Sequence, residues 1–454
     1  MKPYANIQDY LTQVNTGQTT SHAATTHYLA QIEAHQSLHA VIETSPQACQ
    51  AADRADDQTR LGEPGLLRGL PILIKDNINT TDGTVTSAGS VALSLNHAPT
   101  NAPLVDNLLT AGAVLLGKTN MTEFANYMVD YRTYQGMPNG YSSRGGQCVH
   151  PAESELGHYV NPSGSSTGSA VAVATGQALA AIGTETYGSI ISPSQRLGIV
   201  GLKPTADSVN MTGVIPISRT LDIAGPMTTC VADAAIILGA LQQRHYTLTS
   251  TVQMTVGVYG EAPDATASDY DHQVFAANTK LLAQLMSAGA TRSSAVLPTV
   301  NEDMVFAIMR YEFKASLNAY LLDHAGSEAP HDLSAIIDHN RAHPDIALKY
   351  GQNNLEAANA IDGDWAKEAT YLEAIAQRQA AITEVSAYFE THHIDVMVMA
   401  NAHCGLAAIT GFPSITVPIG VSTQGHPIGC CVVANRGQEQ KLMDFAAAIE
   451  ALLV

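Results

Sequence analysis

Two serines in separate glycine-rich segments are the residues of this chain best placed to carry out chemistry. Ser165 lies in the segment NPSGSSTGS at 161–169. Ser189 lies in the segment GTETYGSI at 183–190. The residues between the two segments are small and apolar, and they predict a buried helix followed by a strand. Such a rigid unit can bring both hydroxyl groups to one point. A serine in a tight turn beside free backbone N–H groups can act as a nucleophile with an oxyanion hole.

A serine nucleophile also needs a base, and two lysines follow apolar runs that are typical of buried strands. Lys75 ends the run at 70–74, and Lys203 follows the run at 199–202. Burial favours the neutral amine of a lysine, and a neutral lysine can act as a base through a bridging hydroxyl group. The hydrophobic pattern does not distinguish between the two lysines, so both remain candidates at this level.

Further segments in the same chain resemble the amidase signature family, whose hydrolases use a Ser–cis-Ser–Lys triad. The similarity is clearest over about residues 65–235. Besides the serine loops, it is carried by RGLPILIKDN, GKTNMTEF, GIVGLKPT, LDIAGPM and AAITGFPSITVP, which begin at residues 68, 117, 198, 221 and 407. Three details resemble the peptide-amidase branch, namely SSRGGQ at 142–147, a residue other than glycine at Tyr187, and YEFKASLN at 311–318.

The resemblance implies a role for each residue of the motif. Lys75 falls on the catalytic lysine of the family, Ser165 on its bridging cis-serine and Ser189 on its nucleophile. The oxyanion hole falls on four backbone N–H groups, those of Thr186, Tyr187, Gly188 and Ser189. This chemistry implies no cofactor and a small-molecule amide as substrate.

A substrate pocket is expected beside the first serine loop, because a long loop rich in Tyr, Gly and Ser precedes it at 125–160. The aromatic residues of this loop that could line a pocket are Tyr127, Tyr131, Tyr134 and Tyr141. The full set of pocket candidates is Tyr141, Ser142, Gly145, Gly146, Gln147 and Ile191.

The chain departs from many members of the family at two positions. Tyr187 stands where many have glycine, and we expect its side chain to lie in or over the site. Ile191 stands where many have arginine. An isoleucine cannot pair with a carboxylate, so we expect neutral substrates.

The apolar segments interleave helix-like and strand-like stretches without a linker, and they predict one large α/β domain over residues 1–454. We expect a mixed central sheet flanked by helices, with a core at 65–235 and 394–454. A mainly helical, substrate-entrance region is expected at about 236–393. Within it, apolar residues of the segment 304–322 fall on one helical face, which is either core or pocket wall.

The composition limits the partners. The formal net charge is −19, from 41 acidic and 22 basic residues, and such a surface repels nucleic acid and anionic membranes. No apolar run has the length of a membrane span, and the N-terminus has no signal-like apolar core, so we expect a cytoplasmic protein. We also expect a monomer or a homodimer. The six cysteines and 17 histidines show no metal-ligand spacing, and no metal is expected.

Together these features favour an amidase that cleaves a small neutral amide or a peptide amide through an acyl-enzyme. One alternative is an amidotransferase-type subunit of a transamidation complex on the same fold. Another is a carbamate or ester hydrolase, because these substrates present the same carbonyl geometry. A non-catalytic homologue is the third.

Overall fold

The helices surround a central sheet in the computed structural model, which describes residues 3–63, 65–130, 136–153, 159–297 and 299–453. The helices are α1 (Ile7–Asn15), α2 (Ser21–Ala34), α3 (Ala48–Arg60), α4 (Pro103–Thr110), α5 (Glu123–Asn126), α6 (Thr167–Ala174), α7 (Ile191–Leu197), α8 (Val231–Gln242), α9 (Asp269–Ser287), α10 (Met304–Asp323), α11 (Leu333–Ala342), α12 (Pro344–Ala347), α13 (Asn353–Asn359), α14 (Ala369–Thr391), α15 (Gly405–Thr410) and α16 (Glu439–Leu453).

The strands are β1 (Val41–Thr44), β2 (Pro71–Lys75), β3 (Val114–Thr119), β4 (Tyr141–Ser142), β5 (Gly146–Gln147), β6 (Ala180–Glu185), β7 (Val200–Lys203), β8 (Ile223–Thr228), β9 (Thr255–Tyr259), β10 (Thr291–Arg292), β11 (Val396–Met399), β12 (Ser414–Val421) and β13 (Pro427–Ala434). Within the described residues, eleven of them form one sheet in the order β1-β3-β2-β6-β8-β7-β12-β13-β11-β9-β10. Strands β4 and β5 form a separate hairpin.

The sheet is mixed. Strands β3, β2 and β6 are parallel, as are β11, β9 and β10, whereas the strands between these groups pair antiparallel. Every residue of β2 is buried, which matches its unbroken apolar sequence, since parallel strands are covered on both faces. The expected single large α/β domain with a mixed sheet flanked by helices is confirmed.

Small residues allow α6 to pack closely against neighbouring backbone segments. All residues of α6 from Thr167 to Val173 are buried. A Cβ atom on Gly168 would lie 2.3 Å from the carbonyl oxygen of Ala40 and 2.4 Å from that of Asn120. Glycine is therefore required where α6 crosses the backbone of these two segments.

The helix expected from the apolar stripe at 304–322 is α10, and its buried face includes Val305, Ile308, Phe313 and Leu317. These side chains belong to a core cluster shared with α11, α14 and α15. Strands β9 and β10 lie in the mainly helical region and extend the sheet at its edge, which the sequence did not predict. None of the described helices combines the length and the apolar character needed to cross a bilayer.

Candidate active site

Strand β2 ends at Lys75 in the interior of the sheet, between β3 and β6. The Lys75 side chain is fully buried. Its Nζ lies 2.8 Å from Ser165 Oγ and 2.9 Å from Ser166 Oγ. It also lies 2.8 Å from the hydroxyl oxygen of Thr184 and 3.2 Å from the Thr184 carbonyl oxygen. The amine is thus surrounded by oxygen atoms from both glycine-rich segments.

Burial lowers the pKa of Lys75 from 10.5 to about 7, because desolvation penalises the ammonium form. The nearby carboxylates of Asp222 and Glu185 act in the opposite direction and keep the pKa from falling further. A neutral amine has two N–H donors and one lone pair. Ser166 donates its own proton to the Thr184 carbonyl at 3.0 Å, which leaves the Ser165 hydroxyl able to donate to the lone pair.

The first serine loop is held against the segment that follows β3. The peptide bond between Gly164 and Ser165 is cis. The Thr122 backbone N–H donates to the Ser165 carbonyl oxygen at 3.0 Å. A Cβ atom on Gly164 would lie 2.4 Å from Thr122 Oγ1, so a side chain at this position would displace the loop or Thr122.

The second serine loop, residues 186–190, connects β6 to α7 and contacts the first one. The Ser166 backbone N–H donates to the Ser189 carbonyl oxygen at 3.2 Å. Gly188 has a φ of +82°, a conformation that glycine adopts at little cost. The buried Glu185 carboxylate accepts from the backbone N–H groups of Ile190 at 2.8 Å and Ile191 at 3.0 Å. These bonds fix the backbone immediately after Ser189.

Asp222 ties the same loop to the segment before β8. One carboxylate oxygen accepts from the Thr186 hydroxyl at 2.5 Å. The other accepts from the backbone N–H groups of Ile217 at 2.8 Å and Ser218 at 3.0 Å. Desolvation raises the Asp222 pKa to about 6 against the opposing effect of these hydrogen bonds. The carboxylate therefore positions Thr186, and its negative charge raises the pKa of Lys75.

Ser189 lines a cavity of about 210 Å³ and is 8% exposed. Gly164, Thr186 and Tyr187 contribute to the cavity from the two serine loops. The apolar part of the wall is formed by Ile217, Phe306 and Met309, and the polar part by Asn126, Asp130, Arg310 and Asn354. Lys75 and Ser165 are buried and are not among the described residues that line it. The described lining thus combines an apolar side with one acidic and one basic side chain, around a space that suits a small ligand.

The six pocket candidates from the sequence are not among the described residues that line this cavity: Tyr141, Ser142, Gly145, Gly146, Gln147 and Ile191. Five of them belong to the β4–β5 hairpin, where the Ser142 hydroxyl donates to Asn120 Oδ1 at 2.7 Å. Gly145 donates in turn to Ser142 Oγ at 2.9 Å. The hairpin therefore supports the segment that follows β3. Ile191 is fully buried in the core cluster of α10.

Of the aromatic candidates in the preceding loop, Tyr127 lines the cavity. Tyr131 and Tyr134 lie outside the residues that the structure describes. The backbone just before Tyr127 is left-handed at Phe124 and Ala125, with φ values of 47° and 54°, and Ala125 lines the cavity. Non-glycine residues in this conformation are uncommon and cluster at functional sites.

The structure distinguishes the two candidate lysines. Lys203 Nζ donates to the backbone carbonyl oxygens of Phe412 at 2.7 Å and Pro204 at 3.3 Å. Desolvation lowers its pKa to about 8. Its hydrogen bonds thus go to main-chain carbonyls at the β7–β12 junction, whereas Lys75 contacts the serine loops.

Several residues of the site were missed by sequence reasoning. Thr184 and Asp222 each lie within a segment that carries the resemblance, but their types give no sign of which side chains they contact. The Tyr187 hydroxyl donates to the Glu302 carboxylate, and these residues are far apart in the sequence. No local pattern identifies such a partner.

The chain is similar to known proteins over most of its length. A sequence profile described as Amidase matches residues 23–405. A "Probable amidase" from Arabidopsis thaliana is 31% identical over 98% of this chain and 89% of that protein. A glutamyl-tRNA(Gln) amidotransferase subunit from a Synechococcus strain is 30% identical over 98% of this chain and 96% of that subunit. The chain therefore belongs to the amidase signature family.

Among solved structures, the native peptide amidase of Stenotrophomonas maltophilia superposes with a TM-score of 0.87. It is 33% identical to this chain, and the alignment covers 100% of this chain and 98% of the peptide amidase. The protein is thus a hydrolase of the amidase family, with a peptide amidase as a structural neighbour over its whole length.

Proposed function

We propose that this protein hydrolyses the C–N bond of a small neutral amide or a peptide amide, with Ser189 as nucleophile, Ser165 as proton relay and Lys75 as base. The observation that carries the proposal is the contact of Lys75 Nζ with Ser165 Oγ at 2.8 Å in a fully buried setting. The Lys75 pKa of about 7 leaves much of this amine neutral at neutral pH. A base with a pKa near the working pH is the most effective one.

The proposed reaction runs in two halves. Ser189 Oγ attacks the amide carbonyl while its proton passes to Ser165 Oγ, whose own proton passes to Lys75 Nζ. Backbone N–H groups of the 186–189 turn stabilise the negative charge on the carbonyl oxygen. The C–N bond then breaks, and the Lys75 proton returns through Ser165 to the departing amine. Water hydrolyses the acyl-Ser189 ester by the same relay and releases a carboxylic acid.

The cavity supports a neutral substrate. Ile217, Phe306 and Met309 give the space an apolar wall. Ile191, which stands where many relatives carry arginine, is buried in the core and supplies no charge. A carboxylate held against this apolar side would be poorly solvated, while the described lining also contains one cation, Arg310, and one carboxylate, Asp130. The overlap with a peptide amidase supports a peptide amide as one substrate class.

A second candidate function is the amidotransferase-type role, which the 30% identity with the glutamyl-tRNA(Gln) amidotransferase chain supports. In that role the protein would release ammonia from glutamine for use by a partner. The net charge of −19 disfavours a tRNA-binding role for this chain, since nucleic acid requires a basic surface.

The test is the release of ammonia by the purified chain alone from a panel of substrates at equal concentration. The panel contains a C-terminally amidated dipeptide, hexanamide, glutamine and the methyl ester of hexanoic acid. We expect turnover of the amidated dipeptide and hexanamide and little release from glutamine. The ester is followed by acid release. Preferred turnover of glutamine would favour the amidotransferase role, and turnover of the ester alone would favour an esterase.

A further inference from the structure

One wall of the cavity is tied to a carboxylate that takes no part in the proposed reaction. Tyr187 lines the cavity together with Ser189, and its hydroxyl donates to the carboxylate of Glu302, which precedes α10. The ring centroid lies 5.8 Å from that of Phe306 and 6.2 Å from that of His403. Tyr187 is therefore held by ring contacts and by its hydroxyl group.

The Glu302 carboxylate packs against the segment before α15. His403 Nδ1 accepts from the Gly405 backbone N–H at 3.2 Å and lies 3.5 Å from Glu302 Oε1, and the Glu302 side chain is 28% exposed. A Cβ atom on Gly405 would lie 2.3 Å from both carboxylate oxygens. The space that Gly405 leaves is thus filled by the carboxylate, and any side chain there would push it away.

The same segment also braces the backbone of the serine loop. A Cβ atom on Gly188 would lie 3.2 Å from Cys404 Sγ. Gln195, on α7, donates to the Ala402 carbonyl oxygen at 2.8 Å. The stretch 402–405 thus contacts both the helix that follows Ser189 and the carboxylate that binds Tyr187.

We propose that Glu302 is a positioning residue for substrate specificity: it holds the Tyr187 side chain as a fixed wall and so limits the size of the acyl group that binds beside Ser189. The inference rests on the proposed function. A tyrosine free to rotate would leave room for bulky acyl groups, whereas the anchored ring excludes them. The acyl groups favoured by the anchored wall are small and apolar, since Phe306 lies beside Tyr187 and Met309 also lines the cavity.

The test compares kcat and KM for ammonia release from acetamide, hexanamide and phenylacetamide, using the full-length protein. The variants are Glu302→Ala, Glu302→Gln and Gly405→Ala. The ratio of kcat/KM for phenylacetamide over acetamide should rise about tenfold in Glu302→Ala, mainly through KM, because a hydrogen bond to a charged group is lost. Gly405→Ala should change the ratio in the same direction, since it displaces the carboxylate without removing a polar group.

Glu302→Gln is the rescue variant, because its side-chain carbonyl oxygen can still accept from the tyrosine hydroxyl. It should keep the selectivity of the wild type. Asp303→Asn is the charge control, since it removes a negative charge from the neighbouring exposed position and should leave the ratio unchanged. An unchanged ratio in both Glu302→Ala and Gly405→Ala would overturn the proposal, and so would a Gln variant that behaves like the Ala variant.

A second readout separates this proposal from the proposed function. The chain contains 17 tyrosines, and in protein labelled with 3-fluorotyrosine the ¹⁹F resonance of Tyr187 is assigned from the Tyr187→Phe variant. That resonance should shift in Glu302→Ala and Gly405→Ala and stay in place in Asp303→Asn. If the wild type releases no ammonia from any amide, the proposed function fails, and the ¹⁹F spectra still decide whether Glu302 anchors Tyr187. A Tyr187 resonance that is identical in all variants would refute the anchor.

Discussion

Replacing Lys75 with methionine should change the pH dependence of stability, because this amine is buried at a cost. The Lys75 pKa is lowered from 10.5 to about 7. Each pKa unit corresponds to about 1.4 kcal/mol, so the protonated side chain destabilises the fold by about 5 kcal/mol when fully charged. This penalty is complete below pH 7 and fades as the pH rises from 7 towards 10.5, since the unfolded chain then binds more protons than the folded one.

The magnitude follows from the same two values. At pH 6 nearly all of the penalty is present, whereas at pH 9 about 2 kcal/mol remains. Lys75→Met removes the amine and, with it, this part of the pH dependence. The lost hydrogen bonds to Ser165 and Thr184 cost similar amounts at both pH values. The free energy of unfolding of Lys75→Met relative to the wild type should thus be higher at pH 6 than at pH 9 by about 2–3 kcal/mol.

The assay is urea denaturation followed by far-UV circular dichroism at pH 6 and pH 9. Lys280→Met is the matched control, because Lys280 is exposed on α9 and its removal should affect both pH values alike. If the difference in the free energy of unfolding between Lys75→Met and the wild type is the same at both pH values, this prediction is wrong. It would mean that the folded protein does not lower the proton affinity of Lys75.

Three further predictions concern the proposed reaction. Lys75→Ala and Ser165→Ala should each lower kcat by several orders of magnitude. The double variant should have a kcat little below that of the worse single variant, since the effects of residues that act as a unit are not additive. Losses in kcat that multiply in steady-state kinetics would contradict a shared relay. The value of kcat/KM should rise with pH around a midpoint of about 7. Asp222→Asn should move that midpoint to lower pH, because the Asp222 carboxylate raises the Lys75 pKa. A midpoint that moves to higher pH in this variant would contradict the prediction. Tyr187→Gly should speed turnover of bulky neutral amides and change that of acetamide little, and an equal loss for all sizes would rule out the pocket interpretation.

Local patterns were enough to predict the fold class and the buried strand that ends at Lys75. The unbroken apolar run before Lys75 is typical of a buried parallel strand, and it forms β2. The apolar stripe over 304–322 forms the buried face of α10. In each case the information lies within one element.

The pocket could not be predicted in the same way, because its walls come from segments far apart in the sequence. The resemblance drew attention to 142–147, yet this hairpin contacts Asn120 and supports the segment that follows β3. The cavity wall instead includes Phe306 and Met309, which lie in the first two turns of α10. The stripe on that helix predicts which face is buried, but both core and cavity wall are apolar, and only packing separates them.

The link between Asp222 and Thr186 illustrates the same limit. Both residues lie in segments that resemble the family, and each is an ordinary polar residue for a turn. Their contact at 2.5 Å depends on how β6 and β8 pair in the sheet. The division of the chain into a core and a substrate-entrance region stays a prediction, as does a monomeric or dimeric, cytoplasmic protein.

In the proposed reaction Ser189 carries the acyl group during turnover, and covalent labelling is the experiment that tests this role. The wild type, Ser189→Ala and Ser192→Ala are treated with a serine-directed fluorophosphonate, and the intact mass and the modified peptide are determined by mass spectrometry. Ser192 is the matched control, as a second serine one turn further along the chain. We expect one adduct on Ser189 in the wild type and in Ser192→Ala, with loss of amide hydrolysis, and none in Ser189→Ala. An adduct that persists in Ser189→Ala, or amide hydrolysis at the wild-type rate by that variant, would contradict it.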